Sequence, residues 1–314
     1  MAAPSRLFAG ALLLAAPAAA QDLAAVTSQT ADRLSLVDLS SMEIIAERTI
    51  EGAPAPVAYD PQHGRIFVMA ADTGRLHVLD ESLEPLIFRD LGEGAFGLAA
   101  AGDGGAFVTD WFGARLLRLD AALGEVWATA TEAAPAGVAL SQDGRLVATA
   151  DRDADAVSIF DAATGQRLHH VPTARPHPFG ITYHDGAFWT ADVQGATVSR
   201  IDAAEGVLTG SVVTSSHPYA VAFAAGRGFV TNQYGGSVSV FDAQSLALLG
   251  EVDLGGYPEG IATLPDGSGV VVANWDSDSL TVIDAETLEV RAELAMPAGP
   301  RAFGQFTGRK APPR

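Results

Sequence analysis

The chain has 314 residues, no cysteine and a net charge of −19. Absence of thiols removes disulfides, iron–sulfur ligation and covalent c-type haem attachment, and the single lysine, Lys310 in the tail, leaves no plausible Schiff-base residue. The acidic balance repels nucleic acid and anionic membranes and favours cations or basic partners.

At the start, Arg6 supplies a positive n-region, residues 7–16 an apolar stretch, and Ala18-Ala19-Ala20 a small-residue cleavage site. Residues 1–20 therefore predict a secretory signal peptide, and residues 21–314 a single exported domain. No later segment is apolar enough to predict a membrane anchor. The expected location is the periplasm or the exterior, and a chain of this length can fold there on its core alone.

From there the chain repeats. A short hydrophobic run ends in aspartate at Asp38, Asp80, Asp120, Asp161, Asp202, Asp242 and Asp284, at intervals of 42, 40, 41, 41, 40 and 42 residues. Each unit opens on a proline or small residue: Pro54, Ala95, Pro135, Pro178, Pro218, Pro258 and Pro300. A first alternating run follows, such as Val221-Ala222-Phe223, and then a tight turn such as Asp143-Gly144-Arg145 or Asp185-Gly186. Such turns join antiparallel strands. The second run is seen as Phe229-Val230-Thr231-Asn232 and the third as Ser237-Val238-Ser239-Val240-Phe241-Asp242. A looser fourth run is Thr287-Leu288-Glu289-Val290-Arg291 in the last unit.

Four short antiparallel strands per forty-odd residues make a β-propeller blade. The expectation is an all-β, seven-bladed propeller. Its chain begins in a second strand, Leu23-Ala24-Ala25-Val26-Thr27, and ends in a first strand, Pro300-Arg301-Ala302-Phe303-Gly304. One blade is thus expected to be built from both termini, which hides strand edges. The seven aspartates are expected to cap the turns from third to fourth strand.

Val230-Thr231-Asn232 with Ser237–Asp242, and Val272-Ala273-Asn274 with Ser279–Asp284, resemble the YVTN-repeat β-propeller family. The P-x-G start and the D-G turn match it too, across the whole mature chain. Ser28 and Ala70 replace the asparagine in two units, and Asp110, Asp151 and Asp192 in three more. The resemblance implies a seven-bladed ring, often exported in bacteria, with diverse roles.

Function is expected on the face that carries the turns between second and third strands and the links into each first strand, around the channel mouth. Before the unit-opening position stand Ala53, Gly94, Ala134, His177, His217, Tyr257 and Gly299; after it stand Ala55, Phe96, Ala136, Phe179, Tyr219, Glu259 and Arg301. Polar and aromatic groups therefore concentrate on successive units. The candidate ligand-binding residues are His177, His217, Tyr219, Tyr257, Glu259, Arg301, Asn232 and Asn274. At the ends of the second runs, Asp110, Asp151, Asp192, Asn232 and Asn274 suit turn closure onto backbone N–H groups.

A divalent metal is a candidate cofactor, with His177, His217 and Asp192 as its ligands. Calcium at 151–155 or 274–278 is disfavoured, because these D-x-D-x-D-like runs lack the glycine and glutamate of an EF-hand. Gly92-Glu93-Gly94-Ala95-Phe96-Gly97 satisfies G-x-G-x-x-G but opens no helix, so it predicts no pyrophosphate site. No G-x-S-x-G, H-E-x-x-H or Walker sequence occurs.

The leading expectation is a non-catalytic binding or scaffold protein that presents this mouth face to a protein partner or small ligand. The alternative is a lactonase- or lyase-type enzyme in which His177, His217, Glu259 and Arg301 supply a general base and an anion clamp. A third is an accessory protein for an exported redox enzyme.

Overall fold

The computed structural model describes residues 20–311, so the expected signal peptide lies, but for Ala20, outside the described residues. Within them, seven four-stranded antiparallel sheets follow one another around a ring, a seven-bladed β-propeller. Blade 1 is shared by the termini: Thr307–Lys310, Gln21–Ser28, Arg33–Asp38 and Glu43–Thr49, from the inside out. Blades 2 to 7 are continuous, over residues 54–90, 95–130, 135–172, 178–213, 218–253 and 258–295. No helix of the described residues is long and apolar enough to cross a membrane.

The strand period of two accounts for the layers. Fourth strands at the rim alternate between exposed and half-buried residues, as in Glu43–Thr49. Second strands are covered on both faces by neighbouring blades, and Gly269–Asn274 is buried throughout. Between blades 2 and 3, for example, Phe67, Met69 and Val78 pack against Leu98, Val108 and Leu117. Each such side chain contributes roughly 1.5–3 kcal/mol on burial.

The unit-opening motif has a steric cause. A Cβ at Gly137 would lie 2.6 Å from the Phe179 carbonyl of the next blade, and those at Gly97, Gly180 and Gly260 would come closer still to the equivalent carbonyls. The threonine before the second strand's last residue then fastens the blades. Thr27, Thr109 and Thr231 donate to the carbonyls of Ala55, Ala136 and Glu259 at 2.7–2.8 Å.

All seven repeat aspartates accept N–H groups two to four residues ahead, as Asp242 does from Gln244 at 3.2 Å and Ser245 at 2.7 Å. Thr287 and Glu286 N–H groups, with Arg291, hold the Asp284 carboxyl down at about 2. These aspartates are turn caps on the face opposite the mouth.

Ring closure differs from expectation in register. Pro300 makes only an isolated bridge to Ser28, and the ladder resumes at Thr307 opposite Ala24. The inner strand is therefore Thr307–Lys310 rather than 300–304. The intervening segment stays tied to its own blade near its ends, through Arg301 N–H to Thr27 O and Ala25 N–H to Phe306 O at 2.8 Å each, and also bonds to both neighbours. Gly260 N–H of blade 7 donates to Arg301 O at 3.0 Å, while Val57 N–H of blade 2 donates to Phe303 O at 2.9 Å.

Candidate functional site

Residues after the unit-opening position turn toward the ring axis, where blades that are not neighbours meet. The Phe96 and Phe179 rings, from blades 3 and 5, lie 5.9 Å apart. The diverted closing segment brings Phe303 between them, at 5.4 Å from Phe96, 5.1 Å from Phe179 and 5.5 Å from Tyr219. Tilted and edge-to-face rings at this spacing attract beyond their area burial. The mouth expected to open into a channel is plugged by aromatics.

Channel volume lies beneath the plug. A cavity of about 280 Å³ is lined by the later halves of the first strands, among them Ala99, Ala139, Ala222, Thr182 and Thr263, with Phe303 as its closed end. Exposure rises toward the D-G turn in several of these strands, from buried Leu98 to half-buried Ala100 and from Val138 to Leu140. It therefore opens on the face opposite the expected site.

Beside the plug, the sequence candidates Glu259, Arg301 and Tyr219 converge. Arg301 Nε lies 2.8 Å from Glu259 Oε2, but its N–H is aimed at the Tyr219 hydroxyl, 2.9 Å away. The ion pair is thus a charge contact, and Oε2 accepts no aligned hydrogen bond. Gln233 donates to the other oxygen of Glu259 at 2.5 Å, and Arg301 donates to Gln29 Oε1 at 2.8 Å. Glu259 is 3% exposed. Burial raises its carboxyl above the usual range, against the lowering pull of Arg301 and the bond from Gln233. Burial raises the Tyr219 phenol as well.

The histidines occupy a different setting. Positions before the opening residue are left-handed in most blades, with φ of 57° at Ala53, 53° at Ala134, 63° at His177 and 57° at His217. Histidine is among the residues that enter this region more readily than most, so local backbone geometry already suits it there. His177 N–H donates to Asp155 at 2.9 Å, just as Ala53 and Gly299 donate to Asp32 and Asp278. Its Nδ1 is buried without a partner. His217 Nδ1 lies 2.8 Å from Ser216 Oγ, and its ring meets Tyr234 at 4.1 Å.

From His217 an aromatic arc runs over the mouth face. Tyr234 meets Tyr257 at 5.3 Å, and Tyr257 meets Trp275 at 6.4 Å, all edge-to-face. Tyr234 is 57% exposed. Tyr234, Gln29, Gln233 and Phe303 were not among the sequence candidates. The first three lie in turns just past the second strands, and Phe303 sits in the one segment outside the repeat register.

Residues ending the second strands work differently from the expected closure onto backbone. Asp110 does accept from Gly113 N–H at 2.7 Å. Asp151 accepts from the hydroxyls of Thr149 and Ser158 at 2.7 and 2.6 Å, and more weakly from Glu132 N–H at 3.3 Å. Asp192 accepts from Thr197 and Ser199 at 3.0 and 2.6 Å. Asn232 and Asn274 donate to the equivalent hydroxyls at 2.8–3.1 Å. A hydroxyl donates or accepts by rotating, so carboxylate and amide interchange at this position. Burial raises the carboxyls of Asp151 and Asp192 to about 6 and about 7. Asn232, Asn274 and Asp192 are thus buried struts.

Among the described residues, no three His, Asp or Glu side chains converge as a metal set. His177, His217 and Asp192 are not brought together as one. In the acidic runs, Asp151 points to Thr149 and Ser158, Asp153 to Arg152 and Asp155 to His177 N–H. They diverge.

No family model matches the chain, and no curated protein matches it. Solved structures do. A functionally unknown protein from Desulfotomaculum acetoxidans DSM 771 is similar at 16% identity and TM-score 0.75, covering 93% of this chain and 99% of that one. Dihydro-heme d1 dehydrogenase NirN in complex with DHE is similar at 17% identity and TM-score 0.69, over 88% of this chain and 74% of that one. A streptogramin B lyase is similar at 18% identity and TM-score 0.68, over 80% and 89%. At these identities the likeness is one of architecture: the chain is a seven-bladed β-propeller.

Proposed function

We propose that the protein is an exported, non-catalytic propeller whose mouth face holds a partner protein or a small ligand in the periplasm. One observation carries this reading. At the mouth Arg301 is engaged with Glu259, Tyr219 and Gln29, while beside it an aromatic arc runs from His217 to Trp275, with Tyr234 exposed and the other three rings half-buried. A face whose central arginine is engaged and whose aromatic arc carries one exposed ring among half-buried ones suits binding. Export rests on the charge and apolar pattern of residues 1–20.

Kinship with the YVTN-repeat propellers belongs to the same proposal. The threonine that stitches blades and the asparagine that braces the third strand give two letters of that motif a physical role. The lactonase- or lyase-type reading needs Glu259 or a histidine free to take a proton. The pairing of Glu259 with Arg301 counts against it.

The test is recovery of bound material from a periplasmic extract, comparing tagged wild type with Tyr234→Ser/Trp275→Ser. The proposal expects a specific partner or ligand, identified by mass spectrometry, on the wild type and its loss from the variant. Equal recovery on both, or loss of a measured turnover with His217→Ala alone, overturns it.

A further inference from the structure

Internal symmetry supplies a template on the mouth face. Trp111 and Trp275 are equivalent residues, each directly after the last residue of a second strand, in blades 3 and 7. The guanidinium of Arg152, the equivalent residue one blade further on, lies over the Trp111 ring with Cζ 5.5 Å from its centroid. Asp153 pairs with that guanidinium at 2.7 Å. Ring, cation and carboxylate form a complete set there.

Around Trp275 the same set lacks its cation. The position equivalent to Arg152 is held by Gln29, whose side-chain oxygen is taken by Arg301. Among the described residues, the cations seated over aromatic rings are on Phe88, Phe107, Trp111, Trp189 and Tyr219, and none is on Trp275, Tyr257 or Tyr234. Carboxylates have instead been added. Where Trp111 is followed by Phe112 and Gly113, Trp275 is followed by Asp276 and Ser277, then Asp278. Asp278 is engaged with Gly299 N–H at 2.7 Å, and Asp276 is exposed. The field of the whole face has the same sign. Its inter-strand turns and inter-blade links carry nine carboxylates against three arginines, Arg152, Arg175 and Arg301.

We propose that the arc of Trp275, Tyr257 and Tyr234, with Asp276 at its edge, takes an organic cation, a guanidinium or alkylammonium group supplied by the bound partner or ligand. The proposal rests on the mouth face being the binding face and names the chemistry recognised there. Ring faces attract cations through their quadrupole, more strongly as water is excluded. The acidic surround raises the local concentration of cations and repels anions.

Isothermal titration with Nα-acetyl-arginine methylamide and its uncharged isostere, Nα-acetyl-citrulline methylamide, tests it. The arginine probe should bind about tenfold tighter than the citrulline probe, and Trp275→Ala should weaken it by about tenfold. Phe112→Ala, an exposed aromatic in the equivalent turn of blade 3, is the folded control and should leave binding unchanged. An arginine-centred heptapeptide binding much tighter than the single residue assigns the cation to a polypeptide; equal affinity assigns it to a free small molecule. Citrulline binding as well as arginine, both lost in Trp275→Ala, overturns the cation and leaves the mouth face as a binding face. Binding of neither probe, or binding indifferent to Trp275→Ala, overturns the cation site outright.

Discussion

Arg301, on the segment that closes the ring, donates from Nε to the hydroxyl of Tyr219 at 2.9 Å across 82 residues of sequence. The bond joins blades 1 and 6 over the axis and skips blade 7, whose Glu259 carboxylate lies against the same guanidinium at 2.8 Å. The segment that closes the ring thus also fills the mouth.

Arg301→Leu leaves a buried carboxylate without its counter-charge. Breaking one side of a buried pair costs about 3–5 kcal/mol, whereas replacing both partners with apolar groups is often neutral. Urea unfolding should show a large loss for Arg301→Leu and substantial recovery in Glu259→Met/Arg301→Leu. Additive losses in the double variant would mean that the two residues do not act as a pair.

Asp192 should set a pH dependence that Asn232 and Asn274 avoid. Its folded carboxyl sits at about 7 against an ordinary 3.8, because burial disfavours the charge. A raised carboxyl contributes stability below its unfolded value, and that contribution is lost as pH rises toward the folded one. The displacement corresponds to roughly 4 kcal/mol at most. Asp192→Asn should therefore stabilise the protein at pH 8 and do much less at pH 4. Thermal unfolding at both values checks this, and an equal shift at each would refute it.

The inter-blade threonines separate a made bond from an unmade one. Thr231 donates to Glu259 O at 2.7 Å, while the buried hydroxyl of Thr190 has no partner. Thr231→Val should cost about 1 kcal/mol or more, and Thr190→Val should be neutral or stabilising. Denaturant midpoints of the two isosteric variants suffice; the opposite ranking would contradict the stitch.

Much of the ring was legible because its causes are local and recur seven times. Alternation, the D-G turn and the capping aspartate depend on neighbours within one unit, so each copy carries the same signal. The prolines and the residues after them marked Tyr219, Glu259 and Arg301 as unusual. Their convergence was not legible, since it depends on blades meeting across an axis. The shifted closing strand was hidden for a related reason: residues 301–306 serve two neighbouring blades, and no other unit contains their equivalent. Histidine before proline looked functional from the sequence, yet the left-handed backbone shared with Ala53 and Ala134 gives that position a conformational explanation as well. Of the aromatic arc, His217 and Tyr257 were legible as candidates, but their link through Tyr234 to Trp275 was not, because these two sit in turns that vary freely from blade to blade.

The proposed binding face is tested most directly by which side of the disc a ligand or partner covers. Hydroxyl-radical footprinting of the loaded and stripped protein measures this directly, because the two faces carry different reactive rings. The account predicts protection of Tyr234, Tyr257 and Trp275, with Tyr183 and His184, near the open end of the channel, unchanged. Protection confined to Tyr183 and His184 would place binding in the channel cavity and contradict it.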